Sequence, residues 1–382
     1  QAEDLLDGEG WKALAAAYLD TGEKDLGAQA LSRALELGGQ DPATLGQLIA
    51  LQIEQGDYLA AAELLGALVE LPQVDIVALK RHALILAAVN PEEAVPLLSR
   101  LEAEIPEEAA IFREIGLSIR RARAASPVPE YVSLAAGRAL GAAGEWEMAR
   151  LALERAVELN PGYAEAWAYL GEALEQLGLD GRGELDLAYS LDPASLGVNL
   201  LYALYFQRYG DTGSALMHLE KARNADPENP TLLAEMASIV AASGDIEGAI
   251  SLFEQAIDLA PEESLYWKIL ANFSIQNETQ ILEVGLPAAR QATLIDPGDP
   301  EAFDLLGQAY FALANPALAE RFLRQSAGLD PDYAPAAFHL GVLYLTTGLL
   351  SPAREQLERA ISLAPDSALA DLAGQLLQDY FR

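Results

Sequence analysis

Eight prolines stand at near-constant intervals along this chain and set the unit from which its fold must be built. Pro127, Pro161, Pro193, Pro227, Pro261, Pro297, Pro331 and Pro365 are 34, 32, 34, 34, 36, 34 and 34 residues apart. Most of them close one phrase: ELNP at 158–161, LDP at 191–193, LAP at 259–261, IDP at 295–297, LDP at 329–331 and LAP at 363–365. Glycines form a second ladder, with Gly22 and Gly56 34 apart, Gly144, Gly178, Gly210 and Gly244 following at 34, 32 and 34, and Gly348 later. A glycine just past a helix takes the left-handed conformation that ends it, and the residue before a proline is pushed out of helical space. Each period therefore reads helix, Gly turn, helix, Pro turn. Apolar residues between the stops recur at helical spacing, as at Leu151, Ala152, Ala156, Val157 and Leu159, with no sustained strand alternation. The expectation is an all-α chain of stacked helix pairs.

The residues within each period resemble the tetratricopeptide repeat (TPR), whose signature pairs W-x2-L-G-x2-Y on a first helix with A-x3-F and a closing Pro on a second. Trp167, Leu170 and Gly171 carry the first half in one repeat, Phe303, Leu306, Gly307 and Tyr310 in another, and Leu340, Gly341 and Tyr344 in a third. Second-helix matches are Ala249, Phe253, Ala256 and Pro261, then Ala215, Leu219, Ala222 and Pro227, then Ala353, Leu357, Ala360 and Pro365. The first hundred residues carry the pattern with more wear: Trp11, Leu14, Tyr18 and Gly22 open a first repeat, Leu45, Leu48 and Gly56 a second, and Ile85, Ala94 and Leu98 a third. After Pro106 the phase is lost. Residues 107–125, with Phe112, Ile115, Gly116 and Ile119, form one unpaired helix before Ser126-Pro127-Val128-Pro129. The expected domains are a block at 1–125, a Pro-rich break at 126–129 and a block at 130–382, whose last segment, 366–382, caps it with Leu369, Leu372, Leu376 and Tyr380 on one face. The resemblance implies a right-handed α-α superhelix, a TPR solenoid of about ten repeats plus an unpaired and a capping helix.

Charge narrows the partners. Lys and Arg number 24 against 58 Asp and Glu, a formal net charge of −34, which excludes the basic footprint that nucleic acid requires. No run of about 18 apolar residues escapes interruption by charge, so no membrane span is expected. Zero Cys removes disulfides, thiolate metal sites and Cys nucleophiles. The 19 Arg against 5 Lys point to a GC-rich bacterial genome. The start at Gln1, with neither Met nor a leader pattern, reads as processed or trimmed and leaves the compartment open.

Chemistry-bearing motifs are missing: there is no P-loop, dinucleotide fingerprint, zinc helix, nucleophile elbow or calcium loop, so no catalytic residue, cofactor or metal is expected. Gly178-x-x-Gly181-x-Gly183 has neither strand nor Lys and reads as a slack inter-helix turn. His82, His218 and His339 fall in different repeats. Glu172 and Glu175 stand one turn apart, a spacing open to acid/base or metal use but read as a solvated face. Trp167, Trp267, Phe253, Tyr310 and Tyr344 read as core. Two sequons, at Asn272 and Asn277, matter only in a secreted eukaryotic protein. Arg120, Arg121 and Arg123 complement a helix C-terminus, or else dock an acidic segment.

The resemblance also implies a binding groove lined by first helices. Its best-known use, a Lys/Asn/Arg clamp for a peptide carboxylate, matches at Lys268 and Asn272 but fails at Leu305, Pro335 and His339. Carried over by position, the groove runs through Glu165, Glu172 and Glu175, then Leu200, Leu204 and Gln207, Thr231 and Ser238, and Leu265, Lys268, Asn272 and Ile275. It continues through Glu301, Asp304, Gln308 and Phe311 to Phe338, Val342 and Leu345. Acidic at first, it turns apolar from Ile275 onward, and an exposed apolar strip calls for cover. The expected function is a non-catalytic scaffold binding a protein or peptide of apolar and basic character, with a second copy or the chain's own N-terminal block as other occupants. The alternatives are a structural part of a bacterial envelope or secretion assembly and, more remotely, an enzyme with an unrecognised site between repeats.

Overall fold

In the computed structural model, which describes residues 6–71 and 75–381, the period resolves into 22 α-helices and one short π-helix, with no strand among the described residues. Three pairs come first: α1 (Gly8–Asp20) and α2 (Lys24–Gly38), α3 (Pro42–Glu54) and α4 (Tyr58–Val69), α5 (Ile76–Val89) and α6 (Pro91–Glu104). The odd helix α7 (Ala109–Ala125) follows, then α8 (Pro129–Ala142), α9 (Trp146–Leu159), α10 (Ala164–Gln176), α11 (Arg182–Leu191), α12 (Leu196–Arg208), α13 (Thr212–Ala225), α14 (Pro230–Ala242) and α15 (Ile246–Leu259). Next come α16 (Ser264–Gln276), the π-helix Ile281–Gly285 running into α17 (Leu286–Ile295), α18 (Pro300–Ala312), α19 (Pro316–Leu329), α20 (Ala334–Thr346), α21 (Leu350–Leu363) and α22 (Ala368–Tyr380). Three pairs, one odd helix, seven pairs and a final helix is the order expected from the two ladders together with the worn repeat pattern before Pro127.

The punctuation works as the residue types dictate. Gly22, Gly56, Gly144, Gly178, Gly210, Gly244 and Gly348 all sit at φ between 73° and 93°. In two later repeats the same slot is held by Glu278, at φ 48°, and Ala314, at φ 55°. Many of the loop acids are helix caps: the carboxylates of Asp41, Asp57, Asp211 and Asp245 each accept from a first-turn N–H at 2.9–3.0 Å. The signature tryptophans are tied to the preceding proline turn. Trp167 Nε1 donates to the Pro161 carbonyl at 2.8 Å and Trp267 Nε1 to that of Pro261 at 2.9 Å, while Asn199, at the same repeat position, uses its amide on Pro193 at 2.9 Å.

The chain divides into two compact units, Gln1–Tyr205 and Phe206–Arg382. In the first, one apolar cluster runs from Leu45 to Ala152 and joins Phe112, Ile115 and Ile119 of α7 to Val132, Ala136 and Leu140 of α8. The extra helix α7 is the reason: α8 and α9 pack directly on α5, which buries Leu79 and every residue from His82 to Val89. The Pro-rich segment 126–129, which sequence marks as a break, therefore lies inside this unit, and the unit boundary falls within α12. Pro129 occupies the first turn of α8, where its missing N–H is not needed, so it starts a helix without interrupting the core.

In the second unit a cluster from Leu233 to Ala309 packs around Phe253, Tyr266 and Leu270. Its last helix docks by only part of the expected face: Leu369 and Leu376 are half-buried beside Ala373. In α22 the buried residues are Ala370 and Ala373, whereas Leu372 and Tyr380 are 51% and 58% exposed. The two buried positions of α22 are thus alanines, with the larger Leu372 and Tyr380 left on its exposed side.

Two buried histidines give the fold a pH dependence. His218 is stacked on Phe206 with ring centroids 5.5 Å apart, and burial, reinforced by Lys221, pushes its imidazole down to about 4. Burial likewise lowers His82, whose Nδ1 has no hydrogen-bond partner. The folded chain resists protonating either ring where the unfolded chain takes up protons, below about 6.5, so their contribution declines as pH falls below that point, for His218 until about 4. His218→Phe should remove about 1–2 kcal/mol from the difference in unfolding free energy between pH 7 and pH 5. Parallel urea midpoints for the two proteins across that range would refute it.

Candidate functional site

Three successive first helices of the second unit, α16, α18 and α20, converge on one cavity of about 550 Å³. Ile275, Gln308, Phe311 and Val342, all expected in the groove, line it. So do Glu278 and Ile281 from the α16–α17 turn, Ala312, Leu323 of α19, and His339. The last five are not among the residues expected from sequence, yet one signal points to the first two. The Pro261 to Pro297 interval of 36 is two residues too long. Those residues are absorbed where Glu278 and Gln280 both adopt positive φ and the chain enters the π-helix. Buried Ser274 pins this turn, its hydroxyl donating to the Thr279 carbonyl.

Below the cavity lies a buried acid. Asp304 is only 2% exposed; its Oδ1 lies 2.9 Å from His339 Nδ1 and its Oδ2 accepts from Gln308 Nε2 at 2.8 Å. Asp304 was expected on the groove surface but instead holds two groove side chains in place from beneath. Phe338, half-buried, meets the His339 ring edge-on at 5.4 Å. Leu345 is half-buried against the cluster of Leu340 and Tyr344.

Beside the cavity, Lys268 contacts Asp299 at 2.8 Å and also Glu301. Burial opposes its charge, but hydrogen bonds to these two acids hold the ammonium above its ordinary pKa. Its charge is thus neutralised within the chain, away from any peptide carboxylate. Burial and the charges of Asp304, Glu301 and Asp299 push the Tyr333 phenol far above its usual range, a sign of a negative field here. Leu265 is 52% exposed, and Asn272 is exposed.

The acidic half of the expected groove is built differently. Glu165 is half-exposed, but Glu172 and Glu175, read as a solvated face, are both buried in α10. Glu175 Oε1 accepts from Gly181 N at 2.9 Å and Glu172 Oε1 from Gln176 Nε2 at 2.7 Å. The tight α10–α11 turn leaves the Gly181 N–H without a helical partner, and a carboxylate from the last turn of α10 supplies the acceptor. Of the others, Leu200 and Leu204 are half-buried and Gln207 exposed; Thr231 Oγ1 pairs with Tyr266 Oη at 3.0 Å, and Ser238 donates to Ala234 O at 3.1 Å.

In the first unit, Ser118 and Arg121 of α7 and Tyr131 and Arg138 of α8 line an open cavity of about 440 Å³. Arg138 stacks over Tyr169 at 4.9 Å, and Arg123 pairs with Glu92. Among the described residues no group of three or more His, Asp or Glu is placed to hold a metal, and no helix is long and apolar enough to cross a membrane.

Comparison with known proteins agrees with the geometry. Tetratricopeptide-repeat family models match residues 134–195, 208–273 and 315–376. Yeast Tom70 is similar at 15% identity with a TM-score of 0.53, over 97% of this chain and 95% of that one. A chain of the APC/C hetero-tetramer Cut9–Hcn1 is similar at 14% identity with a TM-score of 0.50, over 98% and 90%. At such identities the likeness is one of fold alone. No curated protein matches the sequence.

Proposed function

This chain is a tetratricopeptide-repeat protein, a fold of interaction scaffolds, and from that premise we propose that it is a non-catalytic adaptor that holds a segment of a partner protein on the α16–α18–α20 wall. The observation that carries this reading is the convergence of Ile275, Phe311 and Val342, from three consecutive first helices, on one cavity. Its volume, about 550 Å³, suits one or two anchoring side chains, the kind of buried contact that dominates interface energy. Glu278, Glu301 and Asp304 around it favour an apolar segment with basic flanks.

Phe311→Ser combined with Val342→Ser tests this. Both side chains are half-buried, so helical content and melting should change little. Capture of the partner from the source organism, quantified by mass spectrometry against the unaltered chain, should fall about tenfold or more. Undiminished capture would put the binding face elsewhere, and a collapse of helical content would reassign both residues to the core.

A further inference from the structure

We infer that the α16–α18–α20 cavity is a socket for an arginine side chain of the partner, its aliphatic stem against Ile275, Phe311 and Val342 and its guanidinium at Gln308, His339 and Glu278. The inference rests on the groove reading above and goes further, because the hydrogen-bond bookkeeping around Asp304 selects the chemistry of what enters. A carboxylate only accepts. In the neutral imidazole the Nδ1 of His339, 2.9 Å from Asp304 Oδ1, therefore carries the proton, and Nε2 carries the lone pair facing the cavity. Gln308 turns its N–H2 to Asp304 Oδ2 at 2.8 Å, which fixes the amide and leaves its carbonyl oxygen as an acceptor. The third polar lining residue, Glu278, brings a carboxylate. All three polar lining side chains thus offer acceptors to the cavity, while Ile275, Ile281, Phe311, Leu323 and Val342 supply apolar walls.

A site of that kind rejects carboxylates and phosphates, which bring only acceptors, and strands its own polar atoms under a purely aliphatic anchor. It matches a side chain with several donors at the end of an apolar stem. Guanidinium, planar with five N–H donors, serves acceptors on separate residues at once, whereas the compact ammonium of lysine is a point charge. The surrounding field has the required sign. Asp299, Glu301, Asp304 and Glu278 outnumber Lys268, which is already engaged by the first two. Glu278 also stands at φ 48°, in a slot that glycine fills in most other repeats. A strained, non-glycine residue there places a carboxylate at the cavity edge that glycine would not.

The test uses three blocked peptides, Ac-Ala-Leu-X-Leu-Ala-NH2 with X as arginine, citrulline or lysine, titrated into the full chain by NMR. Citrulline keeps the shape of arginine, removes the charge, and replaces one amino group, two N–H donors, by an acceptor oxygen. The arginine peptide should bind about tenfold more tightly than the citrulline peptide. It should shift the His339 Nε2 resonance, and Glu278→Gln should shrink the gap to about threefold. Phe311→Ser should weaken the arginine and citrulline peptides alike. Equal binding of those two, with both lost in Phe311→Ser, overturns the socket while leaving the groove reading intact. Equal binding of the lysine and arginine peptides overturns the guanidinium assignment, and so does a failure of any peptide to bind. Binding indifferent to Phe311→Ser overturns the socket and the groove together.

Discussion

Gly181→Ala should unseat α11 from α10 at a cost of about 3 kcal/mol, the upper end for forcing one methyl group into a packed site. A Cβ built on Gly181 would lie 2.1 Å from the carbonyl oxygen of Gly171, and one on Gly171 would lie 2.8 Å from that of Gly181. Backbone meets backbone on both sides, so no side chain can swing aside. The backbone of Gly181, at φ −95°, suits alanine, which makes the clash the whole effect. Movement there would also break the bond from Gly181 N to Glu175 and loosen a helix of 10 residues anchored by buried Leu185 and Ala188. Gly183→Ala is the matched control. Nothing lies within 4 Å of a Cβ at Gly183, which sits in the helix, so alanine should stabilise by up to about 1 kcal/mol. Hydrogen exchange reads both locally: amides of α11 should exchange about 100-fold faster in Gly181→Ala and no faster in Gly183→Ala. Equal protection in the two variants would show that α11 tolerates the shift.

The same turn shows where the sequence stops being legible. Helix starts and stops are local events, decided by a proline, a left-handed glycine or a capping Asp within four residues. The helix order can therefore be read from spacing after Pro127 and, with the repeat resemblance, before it, including the odd α7. What a turn packs against is not local. Gly178-x-x-Gly181-x-Gly183 looks slack because glycine permits slack, yet its middle glycine marks a close backbone approach between two helices. Glu172, Glu175 and Asp304 look solvated because carboxylates usually are, but each has a hydrogen-bond donor waiting in the fold. At the cavity the two kinds of information meet. Ile275, Gln308, Phe311 and Val342 follow from repeat register, whereas Leu323 reaches it from a second helix and His339 from a position that register assigns to Leu305 in the preceding repeat.

Salt should act on partner association more strongly than any single exposed substitution. A net charge of −34 on 382 residues sets up a negative potential that concentrates basic segments near the surface before contact. Screening shortens its reach from about 30 Å at 0.01 M salt to about 3 Å at 1 M. The association rate constant for a basic partner should therefore fall about 10- to 100-fold between low and high salt, while the dissociation rate constant changes far less. Substitutions separate the general field from the socket. Glu254→Gln with Asp258→Asn, exposed on α15 and outside the cavity lining, should lower association slightly and leave dissociation alone. Glu278→Gln, at the cavity, should chiefly speed dissociation, because there the charge is met at short range in a partly desolvated site. Stopped-flow or surface-resonance rates at several ionic strengths would measure all three proteins. An association rate independent of salt would mean that the acidic surface serves solubility alone and that recognition depends on the cavity without steering.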